Sequence, residues 1–78
     1  MLRKTEKLLI TFFTTTEAMA MERLCKAEKM PGRIIPVPSS ITADCGLAWC
    51  ADPQNEPVLL EFIEKQNLHY QGVYRCMV

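Results

Sequence analysis

Cys25, Cys45, Cys50, Cys76 and the single histidine, His69, are the side chains with nucleophilic, redox or soft metal-binding chemistry to offer. An even number of cysteines in a short chain suggests a disulfide framework when the chain is exported and reduced thiols when it is not. Zinc needs a different pattern. No Cys-x-x-Cys pair is present, His69 stands alone, and the intervals between the cysteines match none of the common zinc frameworks, so no metal site is expected. Cys45 has the most distinctive setting: it closes the stretch Pro36-Val37-Pro38-Ser39-Ser40-Ile41-Thr42-Ala43-Asp44 and is followed by Gly46.

A thiol attacks or accepts sulfur only as thiolate, a form favoured by a helix N-terminus, hydroxyl donors or a nearby cation. Gly46 lets the backbone turn beside Cys45 without a side chain in the way, leaving room for a further sulfur or selenium atom. Asp44 acts in the opposite sense unless it points elsewhere. Each of these residues also has a plainer reading. Free cysteines are often simply buried; Cys25 on a helix stripe and Cys76 on a strand fit that description. His69 reads most simply as a surface or helix-end residue, the threonine run as a cap, and Trp49 as core.

Nine basic and nine acidic residues cancel, which removes the electrostatic footprint of a nucleic-acid or anionic-membrane binder. Neutrality favours self-association, so a homodimer is an expectation for a small sheet with one open face. Arg3 and Lys4 precede an apolar run, but Thr11 and Thr14-Thr15-Thr16 end it too early for a signal peptide or a membrane span. The expected protein is cytoplasmic. Its 78 residues allow one small domain.

The elements that must position Cys45 follow from periodicity. Residues 7–13 read as a strand with Leu8, Ile10 and Phe12 on one side, and Thr14, Thr15 and Thr16 offer caps for a helix over 16–30. Its stripe is Ala20, Met21, Leu24 and Ala27, with Cys25 at the edge and Pro31-Gly32 as the stop. A strand over 33–37 carries Pro36 and so lies at a sheet edge or is about to leave the sheet. A loop over 38–46 leads to a strand over 47–51. Asp52-Pro53 and Asn55-Glu56-Pro57 both read as helix starts, and a helix over 55–67 follows, with Val58, Leu59, Phe62 and Ile63 inward and Asn67 as terminator. A last strand over 69–77 places Tyr70, Tyr74, Cys76 and Val78 opposite Gln71, Val73, Arg75 and Met77.

This order predicts an α+β fold, the ferredoxin-like βαββαβ sandwich, with two helices on one face of a four-stranded antiparallel sheet ordered fourth, first, third, second. Cys45 then shares one end of the sheet with Thr14, Thr15, Thr16, Asn67 and His69, so that Thr14, Thr15, Thr16 and His69 are candidate supports for its thiolate. Cys50 lies an odd number of positions from Cys45, hence on the opposite face of a regular strand.

Leu9-Ile10-Thr11-Phe12 with its threonine-led helix start, Arg33-Ile34-Ile35-Pro36-Val37-Pro38, Ile41, and above all Cys45-Gly46-Leu47-Ala48 resemble the small bacterial family of selenium/sulfur carrier-like proteins; His69-Tyr70-Gln71-Gly72-Val73-Tyr74 matches its last strand. The resemblance implies that Cys45 bears the chalcogen as a persulfide or selenopersulfide, loaded by a donor such as a cysteine desulfurase and removed by an acceptor protein, with no cofactor. Cys50 would be a resolving thiol or a small strand residue. The better-known sulfur-relay carriers differ, since their cysteine opens a Cys-Pro-x-Pro helix start, whereas Pro36 and Pro38 precede Cys45 at a distance.

The residues leave a second function class open. In a small ferredoxin-like regulatory or binding module, loop 38–46 would engage a ligand or partner through Ser39, Ser40, Thr42 and backbone amides, with Cys45 incidental. No phosphate loop and no carboxylate pair beside a histidine is present. A covalent carrier is therefore expected in preference to an enzyme.

Overall fold

The computed structural model describes residues 5–41 and 43–77. Arg3, Lys4, Thr42 and Val78, which figure in the reading above, lie outside the described residues. The chain runs β1 (Glu6–Thr11), α1 (Thr15–Ala27), β2 (Arg33–Pro36), β3 (Leu47–Ala51), a 3-10 turn (Pro53–Asn55), α2 (Glu56–Lys65) and β4 (Gly72–Met77). The strands pair antiparallel in the order β2-β3-β1-β4. This is the α+β, ferredoxin-like arrangement that the element order predicts.

Strand β1 is central because its residues bury on both faces. Leu8 and Ile10 join Phe12, Trp49 and Ala51 in the main core with Ala18, Met21 and Cys25 of α1 and Leu59, Phe62 and Ile63 of α2. Each large apolar side chain buried this way stabilises the fold by about 1.5–3 kcal/mol. Leu9, facing the other way, is also fully buried, packed with Ala48, Cys50, Ile35, Val37, Ile41 and Cys76. Val37 and Ile41 belong to the β2–β3 connection, which folds back across the face opposite the helices. That face is covered over Leu9, not open as the element pattern alone implies.

Helix α1 begins with a capping box. The Thr14 hydroxyl accepts from the Glu17 N–H at 3.1 Å, and the Glu17 carboxylate accepts from the N–H groups of Phe13 and Thr14 at 2.9 and 3.3 Å. The helix leaves at Ala27, not at 30. Lys29 adopts φ 56°, and the Met30 N–H reaches back to the Cys25 carbonyl at 2.8 Å, closing the end before Pro31-Gly32 is reached. The buried stripe is Ala18, Met21 and Cys25. Cys25 is thus central in the stripe, not at its edge, and Ala27 is exposed.

Both helix starts after β3 are used in succession: Asp52-Pro53 opens the 3-10 turn, and Glu56-Pro57 opens α2. Asn67 ends α2 with φ 56°, a conformation asparagine tolerates better than most residues. Val58, expected inward, is 47% exposed, because the face of α2 turned to the core is centred on Leu59, Phe62 and Ile63, with Leu60 at its side. Strand pairing starts at Gly72, so residues 69–71 form the turn into β4. Strand β2 stops at Pro36, and β1 stops at Thr11.

Candidate functional site: the Cys45 turn

Residues Ala43 to Gly46 form a turn closed by the Gly46 N–H on the Ala43 carbonyl at 3.3 Å, which places Cys45 at its third position, just ahead of β3. Gly46 has φ 74°, in the region where a side chain is strained, and a Cβ built there would meet nothing within 4 Å. Glycine is needed for the backbone angle, and the space where a side chain at 46 would stand is open.

The place of the Cys45 sulfur follows from the ladder. The Val37 N–H donates to the Gly46 carbonyl at 2.9 Å, so the backbone of Gly46 addresses β2. Successive residues of an antiparallel strand turn their backbone groups to opposite neighbours, so those of Leu47 address the β1 side. The β1–β3 pairing ends at Thr11 with Ala48, one residue short of Leu47. Both Leu47 groups meet the cysteine: its N–H donates to Cys45 Sγ at 3.4 Å, and the thiol donates to the Leu47 carbonyl at 3.5 Å. The half-buried Cys45 also packs against the edge of the helix-side core.

A residue that sequence reasoning gave no role ties this turn to the rest of the sheet. The Gln71 side-chain oxygen accepts the Asp44 N–H at 3.1 Å, while the Gln71 N–H donates to the Thr11 carbonyl at 2.6 Å. Thr11 is fully buried, with its hydroxyl 3.4 Å from the Gly72 carbonyl. The only signal in the sequence is a polar residue beside Gly72 at a strand start, which many turns share.

The hydrogen bonds of Cys45 Sγ run to Leu47, and none runs to Thr14, Thr15, Thr16 or His69. The Thr14 hydroxyl serves as the α1 cap. Thr15 and Thr16 line a shallow cleft of about 530 Å³ with Met19, Ala20 and Arg23. His69 and Asn67 line another of about 410 Å³ beside Leu60, Ile63 and Tyr70. Cys45 borders neither cleft.

The four cysteines are free thiols in distinct surroundings. Cys25 is fully inaccessible, and burial pushes its thiol up to about 11. Cys50 is 7% exposed, and burial raises its thiol too, against the pull of Lys7 and Arg33 and with a smaller push from Asp52. It packs on the face opposite the helices, whereas Cys45 packs toward them. Leu47 and Cys50 alone are about 10 Å apart along β3, so a Cys45–Cys50 disulfide requires this end of the strand to rearrange. Cys76 is half-buried under the β2–β3 connection, its Sγ 3.7 Å from the Ser40 hydroxyl.

Among the described residues no group of three or more histidine, cysteine, aspartate or glutamate side chains comes together as a metal site, and no helix is long and apolar enough to cross a membrane. No curated protein matches the chain, and no solved structure does. A family model described as "Putative Se/S carrier protein-like" matches residues 7–75, a span that takes in Cys45 and Cys50 and stops one residue before Cys76. The match runs from β1 into β4 and covers most of the chain, and on it the protein belongs to the Se/S carrier protein-like family.

Proposed function

We propose that Cys45 carries sulfur or selenium covalently, as a persulfide or selenopersulfide, from a donor enzyme to an acceptor protein. The observation that carries this reading is the setting of one sulfur: a half-buried thiol on a turn, with a backbone N–H directed at it and open space beside Gly46. Family membership supports the same reading. Cys25 and Cys50 are buried with raised thiols, which suits structural cysteines and not carriers.

In loading, the Cys45 thiolate attacks the outer sulfur of a donor enzyme's cysteine persulfide, such as that of a cysteine desulfurase. The donor's S–S bond breaks, its cysteine leaves as thiolate, and a new S–S bond forms on Cys45. In delivery, an acceptor thiolate attacks the outer atom and Cys45 leaves as thiolate. The transferred atom keeps its oxidation state through both steps, so no oxidant is consumed. Selenium follows the same course. The Leu47 N–H stays with the inner sulfur throughout, and the outer atom extends into the space that glycine leaves open. A turn on the surface suits exchange between two proteins, each of which must bring its own thiol to the same atom.

The test is intact-mass spectrometry after incubation with a pyridoxal-dependent cysteine desulfurase and L-cysteine. The wild type gains the mass of one sulfur and Cys45→Ser gains none. Equal gain by the two proteins overturns the assignment.

A further inference from the structure

We infer that Gln71 is a positioning residue for the carrier thiol: its side-chain oxygen latches the Cys45 turn to the end of β1 and sets where the sulfur points. The inference rests on the carrier reading of Cys45, but the latch itself is a geometric claim with a readout of its own.

The turn lies at the end of a long connection that leaves β2 at Pro36, crosses the sheet over Leu9, and returns to β3 at Leu47. Its own closing bond, Gly46 N–H to Ala43 carbonyl, shapes the turn but does not attach it to β1 or β4. The Val37 bond attaches it to β2, on the side away from the sulfur. The Asp44 N–H to Gln71 bond is the side-chain link toward β1 and β4, where the Leu47 backbone meets Cys45 Sγ.

Gln71 can act as a fixed point because its backbone is itself fixed. Its N–H bonds the carbonyl of Thr11, the last paired residue of the buried central strand, and Gly72 beside it pairs with the same residue. The chain of contacts therefore runs from the most deeply packed strand, through one amide side chain, to the residue before the thiol. What the latch requires of residue 71 is an acceptor at that oxygen's position. A glutamate supplies one and a leucine of similar size does not.

The carrier needs its sulfur held against the Leu47 N–H when a partner's thiol arrives. A turn released from Gln71 lets the thiol swing away from Leu47 and from the core edge it packs on. Small neutral reagents then reach it more easily, while transfer that depends on the held geometry slows. These opposite directions separate a positioning role from general loosening, which exposes every buried cysteine together.

The experiment compares wild type, Gln71→Leu and Gln71→Glu by native iodoacetamide labelling read per cysteine by peptide mass spectrometry, alongside sulfur loading from a cysteine desulfurase. In Gln71→Leu, Cys45 is alkylated about three- to tenfold faster per thiolate, the scale set by one net hydrogen bond, each rate being divided by the thiolate fraction measured on that variant. Cys25 labelling is unchanged, and the kcat of loading falls with KM unchanged. Gln71→Glu restores both rates to wild-type values once each is divided by the thiolate fraction measured on that variant, since the added carboxylate otherwise acts on the thiol as Asp44 does. Labelling of Cys45 at the wild-type rate in Gln71→Leu, or failure of Gln71→Glu to restore it, overturns the latch. A wild-type protein that takes up no sulfur overturns the carrier reading instead, and the labelling comparison still decides the latch.

Discussion

The Cys45 sulfur lies 3.4 Å from the backbone nitrogen of Leu47, at the place in the sheet that β1 would fill had it continued past Thr11. A strand ending one residue early leaves a backbone donor and acceptor at the edge of the core, and a thiol occupies both. The sulfur is thus anchored by the sheet's own hydrogen-bonding pattern.

The four thiols should differ sharply in accessibility. Under native conditions iodoacetamide modifies Cys45 and Cys76, which are half-buried, before Cys25 and Cys50, which are almost fully enclosed. Cys25 and Cys50 react at least about tenfold more slowly and catch up only on unfolding. Peptide-level mass spectrometry over a time course checks this, and early labelling of Cys25 contradicts the packing described for α1.

The two glycines with positive φ should respond unequally to alanine. Gly46→Ala meets open space and costs only the backbone strain, about 1–2 kcal/mol. Gly32→Ala adds collisions to the strain of its own positive φ, 115°, because its Cβ would run into Trp49 Nε1 and fall 2.6 Å from the Cys50 carbonyl oxygen. Trp49 cannot move aside freely, since it is 1% exposed and its Nε1–H donates to the Pro31 carbonyl at 2.9 Å. Urea unfolding should show Gly32→Ala losing at least about 2 kcal/mol more than Gly46→Ala.

Alkaline pH should weaken the fold through Cys25. Burial raises its thiol from 9.0 to about 11, so the native state holds a proton that the unfolded chain releases. The corresponding stability is fully present below 9.0 and is lost as pH rises through about 11, with a limiting slope of about 1.4 kcal/mol per pH unit inside that window. Cys50, also raised, adds a loss of the same sign. Urea midpoints measured from pH 8 to 11 should fall more steeply for wild type than for Cys25→Ala, and parallel curves would exclude the contribution.

The alternation of strand and helix patterns, the Thr14 cap, Asn67 and the edge placement of Pro36 are short-range properties. A few neighbouring residues decide each of them, and the ferredoxin-like order follows from their sequence. The loop that bears Cys45 and the glycine after it were legible for the same reason, as a proline-rich interruption of an apolar pattern. Tertiary structure decided the rest. Cys25 lies at the centre of the α1 stripe because of how that helix rotates against β1 and β3, which no periodicity within the helix specifies when alanine, leucine and cysteine alternate around it. The β2–β3 connection covers Leu9 because Val37 and Ile41 bury better there than in water. The meeting of Cys45 with Leu47, and of Asp44 with Gln71, depends on where β1 stops relative to β3 and β4, and a strand's stopping point is set by its partners.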